Sequence, residues 1–214
     1  MKSKKYVSIG VGAVVVIIVT IFIIFYYEKP EPPKVDSLAL DFTYDEANAV
    51  LKQSLQSEEI IMSDPLRFQK QQDIEKWCNF FSDQEKQKLV EYCTSTEIKD
   101  QSGNFLGNIH LVGSPTAPKL VLIVLQSNPL LENLNQIKGV FGIVTKELVC
   151  DCWEEIKPGG YATIENWVDA LREFHISGSK PHSESKSISL ASKHMQIQLT
   201  TTKEGYVWEM LIAR

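Results

Sequence analysis

The hydrophobic positions along the chain change period several times. Residues 6–27, YVSIGVGAVVVIIVTIFIIFYY, are apolar throughout and carry no charge. At about 1.5 Å per residue, a helix of that run is roughly 33 Å long, enough for the hydrocarbon core of a bilayer. Tyr6 at one end and Tyr26 and Tyr27 at the other suit the two headgroup zones. Lys2, Lys4 and Lys5 precede the run. This dense basic cluster predicts a cytoplasmic N-terminus, with the bulk of the chain outside. The run exceeds the core of a cleaved signal peptide, and no small-residue cleavage site follows it, so it reads as an uncleaved signal anchor. Residues 28–36, EKPEPPKVD, hold three prolines, which stop a helix and favour a semi-rigid stalk. The expected organisation is a cytoplasmic tail over 1–5, a membrane anchor over 6–27, a stalk over 28–36 and one extracytoplasmic domain over 37–214.

A helical period follows. Thr43 and Glu46 form a capping box, and the helix they open lines up Ala47, Val50, Leu51 and Leu55. Asp64-Pro65 reads as an N-cap with proline in the first helical position, followed by Phe68, Ile74, Trp77, Cys78 and Phe81 on one helix. Ser82 and Glu85 make a second capping box, whose helix is expected to run to about Cys93.

The period then shortens. Glu97 to Asp100, the turn Gln101-Ser102-Gly103-Asn104 and Phe105 to Val112 read as a β-hairpin. Lys119 to Gln126 is nearly continuous in apolar residues, the mark of a central strand buried on both faces. Asn128-Pro129 opens another helix. From Val140 onward the apolar positions 140, 141, 143, 144, 148, 149, 152, 153 and 156 form one broad helical stripe, stopped by Lys157-Pro158-Gly159-Gly160. Thr163 caps a helix bearing Ile164, Trp167, Val168, Leu171 and Phe174. After a Ser-rich loop over 177–186, three strands close the chain: Ser187 to Ala191, His194 to Thr201 and Tyr206 to Ala213. The predicted fold is α+β, an antiparallel or mixed sheet of five or six strands with helices on one face.

Charge narrows the partners. The whole chain has a net charge of −5, and residues 36–214 hold 17 Lys and Arg against 25 Asp and Glu. An acidic domain argues against nucleic acid and against a second, electrostatic grip on anionic lipid.

Four cysteines, Cys78, Cys93, Cys150 and Cys152, fall outside the membrane by this topology, and an even count in an oxidising compartment predicts disulfides. On two antiparallel helices joined near Ser82, Cys78 and Cys93 would sit about 10 Å apart by helical rise. That is beyond the ~7 Å Cα limit, unless the hairpin bends. Cys150 and Cys152 enclose one residue and would close a strained ring. The remaining option joins the 150/152 pair to the two N-terminal helices.

Two other chemistries use the same residues. The four sulfurs make a zinc-like set, although the spacing is not that of a zinc ribbon. Thiol–disulfide exchange through Cys150 and Cys152 is the second, although the usual redox spacing is C-x-x-C at a helix N-terminus. His110, His175, His182 and His194 show no i, i+2 or i, i+4 spacing, so they form no local ligand pair. A soft-metal site of His110 and His194 with Cys150 is the one combination they suggest. Glu58-Glu59 and Glu154-Glu155 read as solvated faces, and Trp77, Trp153, Trp167 and Trp208 as core residues. None of the common nucleophile, metalloprotease or phosphate-loop motifs is present. The expected function is a membrane-tethered extracytoplasmic module, held by residues 6–27, that binds or scaffolds another envelope protein without a cofactor. The alternative is an envelope metal or thiol-redox protein using Cys150 and Cys152.

Overall fold

A computed structural model describes residues 38–81, 84–88 and 90–214. The expected anchor over 6–27 and stalk over 28–36 lie outside the described residues. Among the described residues, no helix is long and apolar enough to cross a membrane.

The domain is built on a nine-stranded sheet in the order β1-β3-β4-β5-β9-β8-β6, with every pairing antiparallel. Its five long strands are β3 (Tyr92–Lys99), β4 (Phe105–Gly113), β5 (Pro118–Ser127), β8 (Lys193–Thr201) and β9 (Tyr206–Ala213). The short strands β1 (Ile61–Met62) and β2 (Leu66–Phe68) share the free edge of β3, while β6 (His182–Glu184) and β7 (Ile188–Leu190) share that of β8. Long flat edges invite pairing with other chains, and short interrupted strands blunt them. β5 is the central strand, as its apolar run predicts. At Gly107, with φ +154°, a Cβ would run into the Val124 carbonyl of β5, so the two strands lie this close only because glycine stands there.

Alternation divides β5 cleanly. Val121, Ile123 and Leu125 face the main core, together with Ile109 and Leu111 of β4 and Trp208, Met210 and Ile212 of β9. Over this face lie α1 (Tyr44–Ser57), α4 (Leu134–Leu148) and α6 (Ile164–Ser177). The Thr43 capping box forms as expected, and the Thr163 hydroxyl accepts from the Asn166 N–H at the start of α6. Ser54 of α1 donates to Glu147 of α4 at 2.9 Å, and Lys138 of α4 pairs with Asp169 of α6 at 2.7 Å. The opposite face carries a smaller core of Ile74, Cys78, Val90, Cys93 and Val112, packed by Phe80, Phe81 and Leu120. It sits under α2 (Gln71–Trp77) and the one-turn α3 (Gln84–Gln87). The first described residues are strapped beside the last. Leu40 donates to the Pro118 carbonyl, Lys193 pairs with Asp41 at 2.7 Å, and Arg214 donates to the Ala39 carbonyl.

Three expectations are corrected. The helix begun at Asp64-Pro65 does not form there. Residues 66–68 pair with β3 as strand β2, and α2 starts only at Gln71. The helix expected to reach Cys93 ends at Gln87, because Tyr92 to Lys99 pairs along β4 and recruits Cys93 into the sheet. Gln87 closes the gap: its carbonyl oxygen accepts from the Phe80 and Phe81 N–H groups, and its amide donates to the Cys78 carbonyl. Third, the long stripe from Val140 to Ile156 is two helices, α4 and the one-turn α5 (Trp153–Ile156), separated at residues 149–152. The sheet also has nine strands where five or six were expected. β1, β2 and β6 are too short to show a period of their own.

Candidate functional site

The break between α4 and α5 holds the less buried of the two cysteine pairs. α4 closes at Leu148, and both the Val149 and Cys150 N–H groups turn back to the Thr145 carbonyl. Asp151 then projects outward, and Cys152 is the residue before α5. Leaving the helix changes the geometry of Cys-x-Cys. On a continuous helix the two sulfurs would point about 160° apart. Here the Cα atoms of Cys150 and Cys152 are 5.2 Å apart and their sulfurs are bonded. The chain resumes with Trp153, whose indole N–H donates to the Tyr161 carbonyl at 3.2 Å and whose ring packs 5.7 Å from Trp167. Cys150 and Cys152 pack against the main core, to which Trp153 and Trp167 belong.

Beside it is a cleft of about 380 Å³. Cys150, Asp151 and Trp153 form one wall, Gly142, Thr145 and Lys146 of α4 another, and Thr163, Ile164 and Glu165 the start of α6 the third. Both cysteines are half-buried, against the main core on one side and open on the other. Glu154 and Glu155, read from the sequence as solvated, are exposed and line the mouth. Glu165 joins them because Thr163 caps α6 and sets Glu165 in its first turn. Lys146, the single cation among the lining residues, pairs with Asp151 at 3.3 Å.

The other cysteines lie elsewhere. Cys78 and Cys93 are 0 % exposed, with Cα atoms 6.4 Å apart and their sulfurs bonded, in the small core on the opposite face of the sheet. This corrects the pairing expected from the sequence. Cys78 caps the end of a short α2 and Cys93 stands on a strand, so the 10 Å separation of two full helices never arises. No bond joins the 150/152 pair to Cys78 or Cys93, since the sheet lies between them. The same separation breaks up the four-sulfur metal set. Among the described residues, no group of three or more His, Cys, Asp or Glu is placed to hold a metal ion.

The histidines also scatter. His110, on β4, faces away from the helix layer that carries Cys150. Its ring lies 4.6 Å from that of Phe80, its buried Nδ1 has no hydrogen-bond partner, and burial pushes its pKa down to about 4. His194 is exposed at the start of β8, with Nδ1 at 3.0 Å from the Ser189 hydroxyl. His182 is exposed, as expected. The sequence gives no hint of the role of His175. It is buried under the C-terminal end of α6, with Nδ1 at 2.9 Å from Ser183 and Nε2 at 2.7 Å from Thr201, and burial holds its pKa below the ordinary value. With both nitrogens engaged by hydroxyls, it ties α6 to β6 and β8. Glu209, half-buried on the face opposite the main helix layer, has its carboxyl pushed above the usual range by burial, against the opposing influence of His182. Of the four tryptophans, Trp153, Trp167 and Trp208 are core residues, whereas Trp77 is 54 % exposed. Phe174 is likewise exposed, covered by the Lys180 ammonium at 3.8 Å.

Comparison with known proteins finds no matching family model, no similar curated protein and no similar solved structure.

Proposed function

We propose that the chain is a membrane-tethered extracytoplasmic module that exchanges its Cys150–Cys152 disulfide with the thiols of a partner protein. The observation that carries this reading is the placement of a half-buried Cys-x-Cys disulfide in a helix break, with Cys150 on the wall of a cleft. A structural staple needs none of these. The bond closes a ring across a single residue, so it restricts the unfolded chain little and contributes about 1.5 kcal/mol on the loop-entropy relation. The uninterrupted apolar run at residues 6–27 supports the tether, which would raise the concentration of the module near other envelope proteins.

The exchange proceeds in two steps. A partner thiolate attacks one sulfur of the pair, a mixed disulfide forms, and the other cysteine leaves as a thiolate. A second partner thiolate then attacks the mixed disulfide. The partner leaves oxidised, and Cys150 and Cys152 remain reduced. The reaction is reversible and stoichiometric, and its direction follows the relative potentials of the two pairs.

The test uses the full chain in mild detergent and a reduced, unstructured peptide carrying two cysteines. The expected result is peptide oxidation matched one for one by loss of the Cys150–Cys152 bond, with none in the Cys150→Ser, Cys152→Ser double variant. Absence of transfer, with the fold intact, overturns the reading.

A second reading is passive docking. It is favoured by an apolar groove of about 330 Å³ beside the small core on the α2 face, lined by Val90, Val112, Leu120 and Ala213 among others. A module that binds its partner through this groove is indifferent to loss of the Cys150–Cys152 pair.

A further inference from the structure

The exchange reading leaves open which thiols the cleft admits, and its rim bears on that choice. Four carboxylates line the cleft, those of Asp151, Glu154, Glu155 and Glu165, against the single cation Lys146. Lys146 is paired with Asp151. Glu154, Glu155 and Glu165 make no ion pair with any described residue and stand exposed at the mouth. The attacking group in disulfide exchange is itself an anion, since the thiolate is the nucleophile. It must therefore approach the bond through a field of its own sign. Lys146, already paired, and the N-terminal end of α6 offset only part of that cost against four carboxylates, so further compensation comes with the incoming molecule.

We infer that the cleft selects cationic thiols: its substrate is a cysteine flanked by lysine or arginine on a partner chain, and anionic thiols are excluded. The inference rests on the exchange reading and assigns it a substrate class. The flanking ammonium or guanidinium groups engage Glu154, Glu155 and Glu165 while the thiolate reaches the bond. Those same contacts hold the thiol in its ionised form as it arrives, because a nearby cation favours the thiolate. Carboxylate-rich small thiols meet only repulsion, which protects the pair from adventitious reduction.

Three small thiols that differ in charge test this on the full chain: cysteamine (cationic), 2-mercaptoethanol (neutral) and 2-mercaptoethanesulfonate (anionic). The rate of loss of the Cys150–Cys152 bond is followed by alkylation and mass spectrometry, per thiolate. Each rate is divided by that of the same thiol on a small neutral disulfide, which removes differences in intrinsic reactivity. The expected corrected ratio of cysteamine to mercaptoethanesulfonate is about tenfold or more at low ionic strength, the lower end of electrostatic steering. It should shrink toward one at about 1 M salt, where screening acts within roughly 3 Å. The triple substitution Glu154→Gln, Glu155→Gln, Glu165→Gln, made at exposed positions, should bring the corrected ratio close to one, chiefly by speeding the anionic thiol. Equal corrected rates for the three thiols at every salt concentration overturn the charge selection while leaving exchange itself standing. Failure of all three thiols to reduce the folded protein overturns the exchange reading.

Discussion

The two cysteine pairs of this domain are the same bond in two different environments. Cys78–Cys93 spans 15 positions and is fully buried. It fastens the end of α2 to β3, inside a small core that holds down the only helices on that face of the sheet. Cys150–Cys152 spans two positions, is half-open and sits where a helix stops. Loop-closure entropy makes the long-range bond a strong constraint on the unfolded chain and the short one a weak one. Burial shields the first from an attacking thiolate, whereas the second is half-buried and Cys150 lines a cleft. The contrast is the one expected if the first bond staples the fold and the second, as proposed, exchanges. It also shows that an even cysteine count predicts bonds without saying which of them are structural.

The comparison is sharpest under mutation. Replacing Cys78 and Cys93 with alanine should remove about 3 kcal/mol through loop entropy, with a further loss from the void left in the small core. A urea titration followed by circular dichroism measures it, and proteolysis should open the stretch between α2 and β3 first. The same replacement at Cys150 and Cys152 should remove about 1.5 kcal/mol and leave the protease pattern unchanged. Equal losses for the two double variants would erase the distinction drawn here.

Acid should act on the side of the molecule that holds Cys78–Cys93. His110, beneath Phe80, has a folded pKa of about 4, below its ordinary 6.5, because burial disfavours the charged ring. The unfolded chain then binds the proton more readily than the fold does. Stability is therefore fully present above pH 6.5 and falls as the pH drops from 6.5 to about 4, by about 3 kcal/mol for a shift of this size. Glu209 runs the opposite way. Its raised carboxyl pKa gives stability at low pH that is lost as the pH rises through that value. His110→Leu removes the first slope and the unpaired Nδ1 together, so the fall in melting temperature between pH 6.5 and pH 4 should shrink, leaving the part that the lowered pKa of His175 contributes with the same sign. A slope unchanged in the variant would place the acid sensitivity elsewhere.

The smallest expected effect is on the exchange side. Thr163→Ala removes the hydroxyl that accepts the Asn166 N–H and should cost about 1 kcal/mol, measured by thermal unfolding. Since Thr163 also fixes Glu165 at the mouth of the cleft, the variant should weaken discrimination between cationic and anionic thiols. It should not affect the buried pair.

Much of this architecture was legible in local chemistry. The Thr43 and Thr163 caps, the hairpin over Gly103, the hairpin over Gly205 and the central placement of Leu120 to Leu125 each rest on residues close in sequence, and each forms as expected. The failures involve long-range pairing. Asp64-Pro65 carries a helix-start signature, yet residues 66–68 gain backbone bonds only from β3, some 27 positions on. Tyr92 to Ser95 belongs to a strand because β4 is there to pair with it. The Cys150–Cys152 site was half visible. Cys150 and Cys152 could not bond while they shared a helix, and the apolar stripe argued for that helix. The structure keeps the bond and breaks the helix, since Leu148 and Trp153 both still reach the main core across the gap. The cleft itself was invisible, because Glu165 joins Glu154 and Glu155 only through the return of α6 beside α4.

Graded reduction of the folded full chain tests the central claim most directly. The chain is equilibrated against increasing dithiothreitol without denaturant, alkylated and mapped by mass spectrometry, with circular dichroism recorded at each point. The account predicts that Cys150 and Cys152 become labelled while the dichroism spectrum is unchanged, and that Cys78 and Cys93 stay protected until the domain unfolds. Simultaneous labelling of all four cysteines, or labelling of Cys78 and Cys93 first, would contradict it.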